Sequence, residues 1–314
     1  MEKICLGARG LWVTRLLFGT LTMGPLQRNL PAEEGAALLC YAAARGVNFV
    51  DTAEIYGTYP HVREALKKYP DLVVCTKSYA YDLEGAKRSV EKAQEGMGRE
   101  RIDIFLLHEQ ESEHTLRGHA QALAHYLSLR EAGVIGAVGV STHHVAGVLA
   151  AAAWPGLDIV FTIINERGLG IVDGGRADME RAVALARANG LGVLAMKALG
   201  GGHLIKRRES ALAYALNLHG VDAVAIGMQS EAEIDYNIAR FEGRAPGEAC
   251  ARATRDARRS LIVQDWCEGC GACVRRCGQK ALALQGGKAV LHAESCVRCG
   301  YCAAVCPAFC LKVI

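Results

Sequence analysis

The sequence predicts an α/β protein, a (β/α)8 TIM barrel followed by a small C-terminal α+β domain. Three observations predict it. Short apolar runs of strand length alternate with helical patterns eight times over about 240 residues, the size and rhythm of such a barrel. The runs are nearly continuous, as in Phe105-Leu106-Leu107 and Val193-Leu194-Ala195-Met196, which suits parallel strands covered on both faces. After Phe241 the rhythm stops, and the end of the chain repeats one cysteine frame instead.

In chain order, Ile4 to Val13 alternates around Gly7 and Gly10 and reads as a short hairpin ahead of the main fold. The strand candidates are Arg15–Thr20, Val47–Thr52, Leu72–Lys77, Asp103–His108, Gly136–Ser141, Asp158–Ile164, Gly192–Lys197 and Ala223–Gly227. Helical patterns fall near 32–45, 61–68, 84–97, 119–132, 145–153, 176–189, 208–218 and 231–241. Pro31 with Glu33 and Glu34 suits a helix start, where proline and negative charge are favoured. Gly46 and Gly190 stand just past helix ends, where a left-handed residue is needed. A doubly wound sheet is the rival fold. It calls for Gly-x-Gly-x-x-Gly after the first strand, and Leu21-Thr22-Met23-Gly24-Pro25 stands there instead.

The predicted domains are therefore residues 1–241 for the barrel, 242–262 for a linker and a basic helix, and 263–314 for the cysteine-rich part. In the middle segment Glu242-Gly243-Arg244-Ala245-Pro246-Gly247 reads as linker. Arg252, Arg255, Arg258 and Arg259 then fall largely on one side of a helix. That side is either a solvated face or a dock for an acidic electron-carrier protein.

The cysteine frames are Cys267-x2-Cys270-x2-Cys273-x3-Cys277 and Cys296-x2-Cys299-x2-Cys302-x3-Cys306-Pro307, offset by 29 residues. Each matches the bacterial C-x2-C-x2-C-x3-C iron–sulfur run. Three thiolates two residues apart on a tight loop cap three corners of a cubane, and the fourth points away to the other cluster. Carried onto this chain, one [4Fe–4S] cluster takes Cys267, Cys270, Cys273 and Cys306. The other takes Cys296, Cys299, Cys302 and Cys277. Zinc prefers two pairs of ligands, and disulfides need an oxidising compartment. Gly278 follows Cys277 where this pattern has proline, which removes no ligand. Ala281–Leu284, Gly286-Gly287 and Ala289–Leu291 form a hairpin signal between the runs. So short a domain buries little core, so its clusters must supply folding free energy.

Composition narrows the function. The 314 residues are 51% hydrophobic and carry a net charge of +3, which gives no electrostatic case for nucleic acid. No hydrophobic signal region opens the chain, and no run approaches the roughly 18–20 apolar residues that span a bilayer. The expectation is a cytoplasmic protein in a reducing environment. Of 13 cysteines, Cys5, Cys40, Cys75, Cys250 and Cys310 fit no ligand spacing. They read as small buried hydrophobes, with a reactive thiol as a second reading for Cys310.

Polar residues close three adjacent apolar strands: Asp51, Lys77 and His108. Tyr56 follows in the loop after Asp51. In such barrels chemistry sits at these C-terminal strand ends. Here the chain resembles the aldo-keto reductase family, through Asp51-Thr52-Ala53-Glu54-Ile55-Tyr56-Gly57, Cys75-Thr76-Lys77-Ser78 and Asp103-Ile104-Phe105-Leu106-Leu107-His108. Gly7 to Gly24 and Gly46-Val47-Asn48-Phe49-Val50 share the resemblance, which covers roughly residues 1–241. The end of the chain is similar to a two-cluster bacterial ferredoxin.

The resemblance implies carbonyl reduction, or alcohol oxidation, by hydride. Tyr56 would protonate the carbonyl oxygen, Lys77 would lower its pKa, Asp51 would hold Lys77, and His108 would orient the carbonyl. The family's hydride donor is a nicotinamide nucleotide, NADH or NADPH. Its carboxamide would meet Ser141, Thr142 and Asn165. Thr142 replaces the usual asparagine, and Phe161 stands where glutamine is frequent. Lys197 with Gly200-Gly201-Gly202 would cradle the pyrophosphate. Gly227-Met228-Gln229-Ser230, Glu233 and Asn237 resemble the adenosine end, with Asp235 near the position of a 2′-phosphate ligand. His143 and His144 follow the fifth strand and would line the pocket or lie at the surface. His114, His119 and His125 show no metal pairing.

Hydride moves two electrons together, whereas each cubane takes one. Two further readings follow. An external ferredoxin or flavoprotein would feed single electrons through the clusters to a substrate or a bound flavin, although no flavin motif is visible. Alternatively the chain is a non-catalytic electron-transfer or scaffold subunit, against which the complete tetrad argues.

Overall fold

A computed structural model describes residues 1–257, 259–296 and 302–314. A hairpin of β1 (Lys3–Leu6) and β2 (Leu11–Thr14) comes first. Eight parallel strands follow: β3 (Leu16–Gly19), β4 (Phe49–Asp51), β5 (Val73–Ser78), β6 (Ile102–Leu107), β7 (Ile135–Thr142), β8 (Ile159–Ile163), β9 (Gly192–Met196) and β10 (Ala223–Gly227). They close into a barrel, with β10 pairing both β9 and β3. All eight predicted strands are present. Four are trimmed by one to three residues, two are shifted by one, Ile135–Thr142 is longer than predicted and Ala223–Gly227 has the predicted bounds.

Around the barrel run α1 (Ala32–Ala43), α2 (Tyr59–Lys68), α3 (Leu83–Met97), α4 (Glu113–Gly118), α5 (Ala120–Glu131), α6 (Val145–Ala153), α7 (Arg176–Ala188), α8 (Arg208–Asn217) and α9 (Glu231–Phe241). The extra helix is α4, where one was predicted near 119–132. Thr115 Oγ1 accepts the Glu111 and Ser112 N–H groups and starts a turn that the apolar pattern does not mark.

Two apolar layers hold the barrel. Strand residues facing out, such as Phe18, Val50, Val74 and Phe105, pack under the helices. Those facing in, such as Leu17, Phe49, Ile104 and Phe161, fill the interior. Leu6 and Val13 of the hairpin join the interior set and close the N-terminal end. At that end three carboxylates repeat one device. Asp103, Asp158 and Asp222 accept the N–H of Val74, Val138 and Val193, each on the preceding strand, at 2.8–2.9 Å. Each also meets an arginine, Arg99, Arg130 and Arg187 respectively. Charge-assisted bonds of this kind anchor strand to strand.

Behind the barrel, α10 (Glu248–Asp256) packs on α9, with the Cys250 thiol donating to Ala232 O at 2.8 Å. Arg259 lies beyond the end of α10 and reaches back to Thr254 O and Glu233. Of the arginines predicted to share one side of a helix, Arg252 and Arg255 lie on α10 and Arg259 lies past its end. Arg258 lies outside the described residues.

The cysteine-rich part contains β11 (Leu261–Val263), α11 (Ala272–Arg276), β12 (Leu282–Gln285), β13 (Lys288–Leu291) and β14 (Leu311–Val313). β12 and β13 form the predicted hairpin, turned by Gly286 and Gly287 at φ 55° and 75°. β14 pairs antiparallel with β11, so the end of the domain closes on its start. Of the spare cysteines, Cys75 and Cys310 are buried, Cys40 and Cys250 are half-buried and Cys5 is exposed. Burial removes the reactive reading of Cys310, and exposure removes the buried reading of Cys5.

Candidate functional site

Three strands deliver the polar cluster because their last residues emerge at the same end of the barrel. Asp51 ends β4, Lys77 lies one residue inside the end of β5, and His108 follows β6. Lys77 Nζ donates to Asp51 Oδ1 at 2.6 Å and to Thr52 O at 2.8 Å. Both side chains are buried, at 1% and 5% exposure, so the pair is hidden from screening by solvent. Burial works to discharge Lys77, but Asp51, Tyr56 and Cys75 together outweigh it and hold the ammonium above its usual range.

Tyr56 ends a 3-10 turn, Glu54–Tyr56, that Gly57 closes at φ 67°. Its ring centroid lies 4.9 Å from Lys77 Nζ, and its edge meets His108 at 5.8 Å between centroids. Burial pushes the Tyr56 phenol up to about 12, against the pull of Lys77. His108 is held well below its usual value, first by burial and then by Lys77 and Lys197, and is neutral. Its Nδ1 is buried with no hydrogen-bond partner among the described residues. The four predicted residues thus meet in one place.

A second ring of side chains surrounds them. Tyr79 stacks on His108 at 4.5 Å, and its hydroxyl donates to Glu109. Glu109 lies 3.6 Å from His143, whose Nε2 accepts from Lys197 Nζ at 2.9 Å. Phe161 faces inward, its ring centroid 5.2 Å from Lys77 Nζ. Glu109 and Lys197 are left-handed non-glycine residues at strand ends, φ 50° and 57°, the kind of backbone strain that collects at functional sites. Tyr79 and Glu109 escaped sequence reading because nothing in their spacing marks them. Each simply stands one residue beyond a strand end or a tetrad member.

The residues predicted to contact a nucleotide bond to neighbours within the protein. Ser141 Oγ accepts the Glu109 N–H, and Thr142 Oγ1 accepts the His144 N–H. Asn165 Oδ1 accepts from Arg167 and Leu169, and its Nδ2 donates to Leu169 O. Ser230 caps α9 through the Glu233 N–H. Glu233 accepts from Gln229 N and from Arg259, and Asn237 donates to Glu233 O. Asp235 pairs with Arg45 at 2.7 Å, a base just past the end of α1 that the sequence reading missed. Each of these residues makes a hydrogen bond or ion pair within the protein.

In the cysteine-rich part, Cys267, Cys270, Cys273 and Cys306 line one cavity with Gly269 and Gly271. The Ala289 N–H points to Cys267 Sγ at 3.5 Å and the Cys310 N–H to Cys306 Sγ at 3.2 Å. Cys310 lines the cavity as well. The four sulfurs of the predicted set around one cavity, with backbone donors aimed at two of them, fit the requirements of an iron–sulfur group. Of the other predicted set, Cys277, Cys296 and Cys302 join the same small core. Cys299 lies outside the described residues.

Comparison with known proteins bears on both parts. The model of the aldo/keto reductase family matches residues 15–211, and that of a 4Fe-4S dicluster domain matches residues 259–307. Among solved structures, a candidate aldo-keto reductase from Pseudomonas aeruginosa is similar at 25% identity and a TM-score of 0.66. That match covers 77% of this chain and 95% of the other. The holo form of aldo-keto reductase AKR11C1 from Bacillus halodurans shares the fold, with a TM-score of 0.65 at 18% identity, over 81% of this chain and 95% of the other. The curated "Probable aldo-keto reductase 1" of Glycine max is 32% identical over 74 residues, 22% of this chain. This chain spans about a fifth (21%) of the length of that relative. The chain belongs to the aldo/keto reductase family of oxidoreductases and carries a 4Fe-4S domain behind its barrel.

Proposed function

We propose that the chain reduces a small carbonyl compound, or oxidises the corresponding alcohol, with Tyr56 as the proton donor at the carbonyl oxygen. The observation that carries this reading is the buried Lys77–Asp51 pair set against the Tyr56 ring. A fixed ammonium beside a phenol stabilises the phenolate formed when the proton leaves, and general acid catalysis needs that help. Neutral His108, with a buried unpaired ring nitrogen, supplies a polar partner for the substrate beside Tyr56. Phe161 and Tyr79 set aromatic rings beside Lys77 and His108.

Cys267, Cys270, Cys273 and Cys306 would hold one iron–sulfur cluster, and Cys277, Cys296, Cys299 and Cys302 the other. When bound, such clusters supply one-electron chemistry. Anaerobically purified protein is expected to contain about eight irons per chain. A value near four would remove one of the two sets.

The test of function is anaerobic turnover of short aldehydes and ketones by the iron-loaded chain. Two reductants are compared, a nicotinamide nucleotide and a chemically reduced ferredoxin or flavoprotein. Alcohol formed with either supports the reading; none with both would sink it. A reaction supported by the protein reductant alone favours a second reading, reduction without hydride transfer, in which the partner is a ferredoxin or flavoprotein.

The pH profile gives a separate check. Tyr56, pushed up to about 12, keeps its proton across the neutral range. Lys197, at the same mouth, is brought down to about 8 by burial against the opposing pull of Glu109. Negative charge develops on the carbonyl oxygen, so kcat/KM for reduction is expected to fall as pH rises through about 8. Lys197→Met should abolish that inflection. An inflection unchanged in the variant would assign it elsewhere.

A further inference from the structure

The family implies a nicotinamide dinucleotide lying across the mouth, with its pyrophosphate on Gly200–Gly202. That loop is covered. Phe309 to Val313 of the cysteine-rich domain lie on it. A Cβ added at Gly202 would stand 2.1 Å from Val313 O, and one at Gly201 would stand 3.1 Å from Phe309 Cε1 and Lys312 Cδ. On either side, Gly170 would meet Phe309 and His203 Nε2 bonds to Leu311 O at 2.8 Å. The Phe309 ring sits 5.1 Å from Lys197 Nζ.

Three of the loop's N–H groups are also turned inward. An anion nest needs backbone N–H groups turned outward. Gly200 N donates to Lys197 O, Gly202 N to Leu199 O and His203 N to Gly200 O. At the far end Arg259 covers Glu233, and at the near end Ser141, Thr142 and Asn165 are bonded within the protein. The residues present do not fit a dinucleotide in this arrangement.

We infer that the segment Phe309–Val313 is a built-in occupant of the dinucleotide groove, and that the docked chain binds neither NADH nor NADPH. Tethering makes the occupant hard to displace. A segment on the same chain acts at an effective concentration that a free ligand must match, and every fraction of closed groove weakens apparent affinity in proportion. The occupant also begins three residues after Cys306, so it brings the cavity of the first cysteine set against the rim of the mouth. The inference rests on the groove and is independent of proton donation by Tyr56.

The test is equilibrium binding, followed by calorimetry and by amide hydrogen exchange, on the anaerobic iron-loaded full chain. NADPH and NADH are each titrated to about 1 mM, the upper end of ordinary enzyme KM values. The expected result is no saturable heat for either nucleotide, and unchanged protection at residues 311–313. Saturable binding would overturn the inference, whether the tail amides stay protected or open as the nucleotide displaces them. Gly202→Val tests the seat itself. It should raise exchange at 311–313 while the visible absorption of the iron–sulfur domain persists. Unchanged exchange in that variant would show that the tail does not sit on Gly202 and would equally overturn the inference. Because both readouts are binding and exchange, a failure here leaves the carbonyl chemistry untouched, and an inactive enzyme leaves the groove result standing.

Discussion

Tyr56→Phe is expected to lower turnover about 10²–10⁴-fold, the usual contribution of a positioned general acid. The substitution removes one oxygen and keeps the ring. The edge contact with His108 and the approach of Lys77 Nζ to the ring both survive it. The hydroxyl's hydrogen-bond interaction is with Lys77 inside the site, which Asp51 holds independently, so circular dichroism and melting temperature should change little. The loss should appear in kcat more than in KM, because the proton is needed as charge develops on the carbonyl oxygen. Turnover within about threefold of the unmodified protein would remove Tyr56 from the chemistry.

Lys77→Met is expected to cost about 3–5 kcal/mol of stability as well as activity, since it strands a buried carboxylate. Asp51 is 5% exposed and Lys77 Nζ is its ion-pair partner at 2.6 Å. The cost should depend on pH in a definite sense. Burial already raises the Asp51 pKa, with Lys77 pulling it back. Without Lys77 it rises further above its unfolded value. The folded variant then binds the extra proton, so its stability is retained at low pH and lost as pH climbs through the folded pKa. Melting curves of the variant should therefore diverge from those of the unmodified protein more at pH 8 than at pH 5. Adding Asp51→Asn should recover part of the loss, because no charge is then left behind. A deficit that is constant across pH would mean that lost packing, not stranded charge, is responsible.

The barrel was legible because its information is local and periodic. Apolar runs such as Phe105-Leu106-Leu107 and helix caps such as Gly190 carry it over short stretches. The tetrad was legible for a related reason. Strand ends are fixed by the pattern, so Asp51, Lys77 and His108 could be ranked together before any contact was known. The cysteine frame also announces itself by spacing. What lay beyond reach was anything that depends on two distant segments meeting. The Tyr79–Glu109–His143–Lys197 sequence of contacts joins four separate loops. Arg45 reaches Asp235 from 190 positions away. The glycines at 200–202 look in sequence like a phosphate cradle. Their small size instead admits Val313 and Phe309. Absence of a Cβ says that something comes close, not what it is.

The pairing of β14 with β11 gives the final strand two clients. One edge completes the cysteine-rich domain, and the same few residues cover Gly202 and His203 of the barrel. A domain this small leans on its metal for folding free energy. Any loss of iron that loosens β14 therefore also uncovers the barrel loop, and any strain on the loop is felt at the cysteines.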